Sequence, residues 1–149
     1  MNALSSPSGR VRHRSAGEVI ARVVVAAGFG YDAYAHFDLA ANFDANRALI
    51  SQGMLFRAEA VVAVLAAVLV LVIRHRAAML FAVLIGGSAL GAVLLYRYVD
   101  LGALGPLPDM YEPTWYPEKT LSAIAEAVAV IGAVALLPKP SHGKWPAPD

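Results

Sequence analysis

An uncharged run of twenty residues, from Ala77 to Tyr96, limits more than any other feature what this chain can fold into. A helix of that length is about 30 Å long at ~1.5 Å per residue, which matches the hydrocarbon core of a bilayer. A second uncharged run lies between Ala60 and Ile73, and 58% of all residues are apolar while 15% are charged. Soluble domains carry roughly 45–50% apolar and about 25% charged residues, so the sequence predicts an integral membrane protein.

Four apolar segments predict four transmembrane helices, with bounds near 17–37, 54–73, 77–97 and 118–137. We expect an all-α polytopic membrane protein that folds as an antiparallel bundle of four transmembrane helices. Pro117 suits the first turn of the last helix, and Pro138 ends it. The polar segments 1–16 and 138–149 are predicted to be disordered cytoplasmic tails.

The first segment is the least apolar of the four, because it carries Glu18, Arg22 and Asp32. It could instead be a signal peptide, since Ala33-Tyr34-Ala35 has the small-x-small form of a cleavage site. Cleavage there would leave three membrane spans. The charges of Arg22 and Asp32 inside the apolar run argue against a signal peptide.

Basic residues accumulate on one predicted side of the membrane, which the positive-inside rule assigns to the cytoplasm. Acidic residues accumulate on the other side, in the two longer connections. We therefore expect both termini in the cytoplasm and a multi-pass location in the plasma membrane of a bacterium. The basic residues that decide the orientation are Arg10, Arg12, Arg14, Arg74, Arg76, Lys139 and Lys144.

Small residues recur at helical spacing and predict the faces through which the helices pack, because helices in lipid associate where their backbones approach closely. These faces could serve contacts within one bundle, or one of them could be the face of a homodimer. The candidate packing residues are Gly28, Gly87, Gly91, Ala129 and Gly132.

Ionisable residues inside the predicted spans form the candidate site. A charge in hydrocarbon costs at least ~2.5–3.5 kcal/mol on insertion scales, so such residues face the bundle interior and often mark function. Counted from the outer helix ends, three acids lie at depths of about 6–10 Å, which predicts a small polar pocket near the outer surface. The pocket residues are Asp32, His36, Arg57, Glu59, Arg97 and Glu126.

Several chemistries suit this pocket. The arginines and His36 could neutralise the acids in a structural ion-pair network. The acids could bind a proton or a cation. A metal could be held by His36, Asp32, Glu59 and Glu126, although they form no recognised motif, and an anion could bind at Arg57 and Arg97. We predict no resident metal and no cofactor, since the histidines are not placed for a haem.

The loop before the last segment is aromatic, with Tyr111, Trp115 and Tyr116. We expect these side chains to anchor the loop at the membrane interface, where tyrosine and tryptophan are enriched. As a further hypothesis, the loop lies across the mouth of the polar pocket as a lid.

Other functional classes find little support. The chain has no cysteine, which excludes disulfides, thiol catalysis and iron–sulfur clusters, and its net charge of +1 gives no basic field for nucleic acid. No nucleophile elbow or phosphate-binding glycine loop is present, so an enzyme is not favoured and no catalytic residue is assigned.

Three stretches carry a family resemblance: Gly53–Glu59, Arg97–Asp100 and Gly105–Pro113. They resemble uncharacterised small four-helix integral membrane proteins of actinobacterial type, and the order of parts is similar to the DoxX-like architecture. The resemblance covers roughly Val19 to Leu137 and implies the four-helix fold, but it implies no activity and no site residue.

Two functions follow as expectations. The chain is expected to be an accessory or structural subunit of a membrane complex, with the lipid bilayer and a larger membrane protein, or a second copy of itself, as partners. Alternatively, it is a self-contained binding or transport protein that uses Asp32, Glu59 and Glu126 for a proton, a cation or a small solute.

Overall fold

The computed structural model describes residues 15–137, and this part of the chain is all-helical, without a strand. The prediction of an all-α fold is confirmed. The helices are α1 (Ala16–Leu39), α2 (Gln52–Val72), α3 (Arg76–Tyr98) and α4 (Pro117–Ala135), and a short 3-10 helix (Ala40–Phe43) continues α1.

The helices begin at residues that satisfy their first free backbone N–H groups. The Ser15 hydroxyl accepts a hydrogen bond from the Glu18 backbone, and the Ser51 hydroxyl accepts one from Met54, which caps α1 and α2. Pro117, which has no N–H to leave unpaired, is the first residue of α4. Local sequence therefore defines these three starts.

Alanine dominates the contacts between helices. α1 packs against α2 and α4, and α3 packs against α4 and α2. Small side chains let the helix backbones approach closely, so the core contains few large residues besides Phe29, Met79, Val25 and Val70. The fully buried alanines of this core are Ala63, Ala66, Ala82, Ala129 and Ala133.

Two of the predicted packing glycines lie at the contact between α1 and α4. A Cβ atom at Gly28 would lie 2.8 Å from the carbonyl oxygen of Ala125 and 3.1 Å from the Cβ of Ala129. A Cβ atom at Gly132 would lie 2.5 Å from Cγ2 of Val25. The absence of a side chain at both positions therefore sets how closely α1 and α4 approach.

The glycines of α3 are divided between two faces. Gly86 is in contact with α1 and α4, since a Cβ atom there would lie 2.8 Å from Cγ2 of Val130 and 3.3 Å from Cζ of Phe29. Gly87 and Gly91 are exposed, and a Cβ atom at either would meet nothing within 4 Å. Within residues 15–137, the packing glycine of α3 is thus Gly86, one position away from the predicted pair.

α2 and α3 are long and apolar enough to cross a membrane. The outward surfaces of α1 and α4 are also apolar, even though both helices contain charged residues. Large apolar side chains that are exposed on these two helices include Ile20, Val23, Val24, Leu121, Ile124, Val128 and Ile131.

Arg22 joins α1 to the end of α2 although it is only 5% exposed. Its Nη1 donates hydrogen bonds to the carbonyl oxygens of Val70 (2.6 Å) and Ile73 (3.0 Å), and its Nε donates to Glu18 (3.1 Å). The last carbonyls of a helix have no partner within the helix, so the guanidinium satisfies groups that burial would otherwise leave unpaired. We call this end of the bundle the turn end, because the short α2–α3 turn lies there.

The opposite end, which we call the loop end, carries the α1–α2 and α3–α4 loops, and the two loops are hydrogen-bonded to each other. The Ile50 backbone donates to the carbonyl of Pro106 (3.0 Å), and the Asn46 amide donates to that of Asp109 (2.7 Å). Arg57 forms two 2.7 Å hydrogen bonds to Asp44, and this guanidinium holds the pKa of the Asp44 carboxyl below its usual value.

Candidate functional site

Two fully buried carboxylates face each other between α1 and α4. Asp32 of α1 and Glu126 of α4 are both 0% exposed. The hydroxyl of Ser122, one turn before Glu126, lies 2.7 Å from Oδ1 of Asp32 and 3.1 Å from Oε1 of Glu126. One hydroxyl carries one proton, so Ser122 can donate to only one of the two carboxylates at a time.

His36 completes this group from the next turn of α1. Its Nδ1 lies 2.9 Å from Oδ1 of Asp32 and 3.0 Å from the Asp32 carbonyl oxygen. Both neighbours accept hydrogen bonds, so Nδ1 carries the proton that it donates to them. The ring also meets that of Phe56 edge-on, with 5.1 Å between centroids. We call Asp32, His36, Ser122 and Glu126 the acid cluster.

Three buried carboxylate oxygens have no hydrogen-bond partner among residues 15–137. They are Oδ2 of Asp32, Oε2 of Glu126 and Oε1 of Glu59. A buried polar atom without a partner costs about 1–3 kcal/mol, and more when the group is charged. These three oxygens therefore favour the binding of a cation or of a group that donates a hydrogen bond.

A cavity of about 450 Å³ opens beside the acid cluster at the loop end. His36 and Ser122 lie on its wall, as does Glu59 of α2, while Asp32 and Glu126 lie behind them. Most of the remaining wall is apolar or aromatic, with side chains from the helices and the 3-10 helix. These include Phe43, Leu55, Phe56, Val62, Val93 and Tyr96.

The α3–α4 loop and the first turn of α4 form the mouth of this cavity. Met110, Glu112 and Tyr116 contribute from the loop, and Glu118 and Lys119 from α4. The Lys119 ammonium donates to the carbonyl oxygen of Glu112, which ties the loop to the helix. Burial raises the pKa of the Tyr116 hydroxyl, and the carboxylates of Glu112 and Glu118 raise it further. This part of the cavity wall thus carries two carboxylates, Glu112 and Glu118, beside Lys119, and the hypothesis that the loop acts as a lid stays a prediction.

The three predicted anchor residues lie in different environments. Tyr116 lines the cavity, whereas Tyr111 is 39% exposed and Trp115 is 38% exposed. The Trp115 ring lies beneath two cations, with its centroid 5.8 Å from Cζ of Arg97 and 5.5 Å from Nζ of Lys119. Cation–π contacts of this kind fix the indole against the loop end of the bundle.

The two candidate arginines lie outside the acid cluster. Arg57 is paired with Asp44 at the surface, and Arg97 lies against the rings of Tyr98 and Trp115. In the described part of the chain neither forms a hydrogen bond or ion pair with Asp32, Glu59 or Glu126. The structure thus brings Asp32, His36 and Glu126 together, with Glu59 across the cavity, and it separates both arginines from them.

Ser122, which bridges the two acids, is not among the site residues predicted from the sequence. Its position four residues before Glu126 was the available signal, because residues i and i+4 share one face of a helix. Lys119, which lines the cavity, is likewise absent from the predicted site residues. Neither role has a sequence motif, since both depend on how α4 meets α1 and the loop.

Comparison with protein-family models, with curated proteins and with solved structures finds no match to this chain. The chemistry of the site therefore follows from its geometry. Three carboxylates and one imidazole lie within or beside one mostly apolar cavity, and groups of this kind are chemically suited to bind protons or cations.

Proposed function

We propose that the chain is a multi-pass membrane protein with four spans and both termini in the cytoplasm. The charged residues of α1 and α4 support this proposal, because they point into the bundle: Arg22 is 5% exposed, and Asp32 and Glu126 are 0% exposed. The surface that α1 and α4 would offer to lipid is thus mostly apolar. Polar groups that face the bundle interior are the usual arrangement in membrane helices.

Single-cysteine labelling tests this topology cleanly, because the natural chain has no cysteine. Ala48→Cys and Ala103→Cys, at exposed positions of the two long loops, are expected to react with a membrane-impermeant maleimide on intact cells. Ser141→Cys, beyond α4, is expected to react only after the membrane is permeabilised. The unmodified chain is the control for background labelling. Labelling of Ser141→Cys on intact cells would contradict the proposed orientation.

We further propose that this protein binds a small amphipathic cation in the cavity at the loop end. The observation that carries the proposal is the Glu59 carboxylate, which lines a cavity of about 450 Å³ and keeps a buried oxygen without a partner in residues 15–137. Ligand pockets of small molecules have volumes of about 300–1,000 Å³ and mostly apolar walls with few polar groups, as here.

The walls favour a cation with an apolar body. Phe43, Phe56, Tyr96 and Tyr116 bring aromatic rings to the cavity, and ring faces attract cations. Acidic side chains also outnumber basic ones on the wall. Of the described residues that line the cavity, Lys119 is the sole lysine or arginine. An ammonium group beside Glu59 would pair with the buried oxygen while its apolar part fills the cavity.

Benzyltrimethylammonium is the probe that tests this ligand class in purified protein, and its neutral isostere neopentylbenzene is the matched ligand control. We expect saturable binding of the cation and much weaker binding of the isostere. Glu59→Gln should weaken cation binding about 10–100-fold, because a hydrogen bond or ion pair to a buried charge contributes about 1.5–3 kcal/mol. Isothermal titration calorimetry measures both affinities.

Asp38→Asn is the matched protein control. It also removes one negative charge at the loop end of the bundle, but Asp38 does not line this cavity. Its affinity for the cation should equal that of the natural chain. Equal affinities of natural protein and Glu59→Gln for benzyltrimethylammonium, or equal binding of the cation and its isostere, would reject the proposed ligand class.

A role as accessory subunit of a membrane complex is the second candidate. It is supported by Gly87 and Gly91, which lie exposed on α3 and offer a surface where another helix could approach closely. Purification from gently solubilised membranes distinguishes the two functions. A stoichiometric larger membrane protein in the eluate supports the subunit role, whereas recovery of the chain alone supports a self-contained binding protein.

A further inference from the structure

We propose that Asp32, His36 and Glu126 form a binding site for one divalent transition-metal ion between α1 and α4. Each of the three residues offers one ligand atom, and these atoms all lie within 4.8 Å of one another. A small adjustment of the side chains brings such a set to the bond lengths of about 2.0–2.2 Å that nitrogen and oxygen ligands adopt around zinc. This site is separate from the Glu59 carboxylate and does not depend on the cavity ligand.

The unpartnered oxygens are an independent observation that points to a ligand. Oδ2 of Asp32 and Oε2 of Glu126 are buried in residues that are 0% exposed, and neither has a hydrogen-bond partner within residues 15–137. Hydrogen bonds inside the cluster use only the other oxygen of each carboxylate. With both acids ionised, each retains one buried acceptor oxygen that no hydrogen-bond donor within residues 15–137 reaches.

Charge balance favours an ion with two positive charges. The acid cluster holds two carboxylates and one imidazole, and no described lysine or arginine is bonded to it. An ion of charge +2 neutralises both carboxylates while His36 binds as the neutral imidazole. Buried charges are retained when they are paired or bound to a metal, so this arrangement removes the cost of two like charges in an apolar bundle.

The ligand types select the class of metal. Imidazole nitrogen suits zinc, iron, copper, nickel and related ions, whereas sites for calcium and magnesium use oxygen ligands alone. The Nδ1 atom of His36 faces Asp32 and would exchange its proton for the metal. The Ser122 hydroxyl, between the two carboxylates, is placed either to orient them or to act as a weak fourth ligand.

An ion has a route to this site. His36 and Ser122 lie on the wall of the cavity at the loop end, so both separate the buried carboxylates from a space that opens at the mouth. Rotation of these two side chains connects the cavity to Asp32 and Glu126. The acids can thus be reached from the loop end without unfolding of the bundle.

Cobalt(II) is the probe, because it replaces zinc in nitrogen and oxygen sites and absorbs visible light when bound. The full chain is purified in detergent with a tag that contains no histidine, stripped with EDTA and titrated with Co²⁺, and bound metal is counted by mass spectrometry. We expect one Co²⁺ per chain, a visible absorption band, and displacement by Zn²⁺. Saturating metal should also raise the midpoint of thermal unfolding, since it binds the folded state preferentially.

Variants locate the ion. Glu126→Gln and His36→Gln are expected to weaken Co²⁺ binding by more than about 100-fold, since even indirect partners of metal ligands contribute 10–100-fold. Asp38→Asn, the charge-matched control, should bind like the natural chain. Glu59→Gln should keep the metal while it loses the cavity cation, so the two proposals can fail separately.

Two results overturn the metal site. One is that the natural protein binds less than one Co²⁺ or Zn²⁺ per chain and its midpoint of thermal unfolding does not change with metal. Because this chain carries no mutation, misfolding of a variant cannot explain such a result. The other is that Glu126→Gln and His36→Gln bind Co²⁺ as tightly as Asp38→Asn. Circular dichroism of each variant verifies that it retains its helices, and a variant that loses them is replaced by Glu126→Asp, which keeps the charge and withdraws the carboxylate by one methylene. A folded Glu126→Asp with unchanged affinity and absorption spectrum likewise counts against the site.

Discussion

Arg22→Ala is expected to lower the free energy of unfolding by about 2–4 kcal/mol, because it leaves buried polar groups without their partner. The guanidinium donates to the carbonyl oxygens of Val70 and Ile73 at the end of α2, and to Glu18 on its own helix. Alanine provides no donor, and of the two carbonyls that of Val70 is buried while that of Ile73 is partly buried. Reversible denaturation in mixed detergent micelles measures the change.

Arg22→Lys separates the hydrogen bonds from the charge. Lysine keeps one positive charge but cannot match the several donor directions of a guanidinium, so we expect it to recover only part of the loss. Arg76→Ala is the control, since Arg76 is an exposed arginine at the same end of the bundle, and it should change stability by less than about 0.5 kcal/mol. If Arg22→Ala and Arg76→Ala had equal effects, Arg22 would not be holding α2.

Gly28→Ala is expected to cost about 1–3 kcal/mol of stability, although it adds one methyl group. That methyl group would lie 2.8 Å from the carbonyl oxygen of Ala125 and 3.1 Å from the Cβ of Ala129. A backbone carbonyl inside α4 cannot rotate away, so α1 and α4 must separate. The same separation moves Asp32, one turn further along α1, away from Ser122 and should weaken Co²⁺ binding as well.

Gly30→Ala is the matched control for this prediction. It introduces the same methyl group two residues away on the same helix, where a Cβ atom meets nothing within 4 Å. Alanine favours the helical backbone over glycine by up to about 1 kcal/mol, so Gly30→Ala should be neutral or stabilising. If Gly28→Ala and Gly30→Ala lowered the free energy of unfolding equally, the cause would lie in the backbone of α1. The contact between α1 and α4 would then be excluded as the cause.

The positions of the helices could be predicted from the sequence, because they depend on local features: the length of the uncharged runs and the positions of proline. The predicted segment 77–97 corresponds to Arg76–Tyr98, and 118–137 corresponds to Pro117–Ala135. Sequence could not decide which neighbour each face meets. Gly87 and Gly91 have the spacing of a packing motif, yet Gly86 is the glycine that contacts α4, because the rotation of α3 depends on the whole bundle.

The candidate site could be predicted in part, for a related reason. Burial cost alone indicates that Asp32, Glu59 and Glu126 face inward, and the structure places all three at or behind one cavity. The partners of the arginines were not predictable, since Arg57 reaches Asp44 in a loop whose path is set by long-range contacts. A depth count gives the level of a residue in the bundle but not the direction in which its side chain points.

The Ser122 bridge between Asp32 and Glu126 has a consequence for biogenesis on the proposed topology. α1 is synthesised before α4, yet Oδ1 of Asp32 on α1 accepts a hydrogen bond from Ser122 on α4. During synthesis Asp32 is therefore without this hydrogen bond until α4 has been made. On this topology we expect stable insertion of α1 to require α4, and a truncated product that lacks α4 leaves Asp32 without its Ser122 partner.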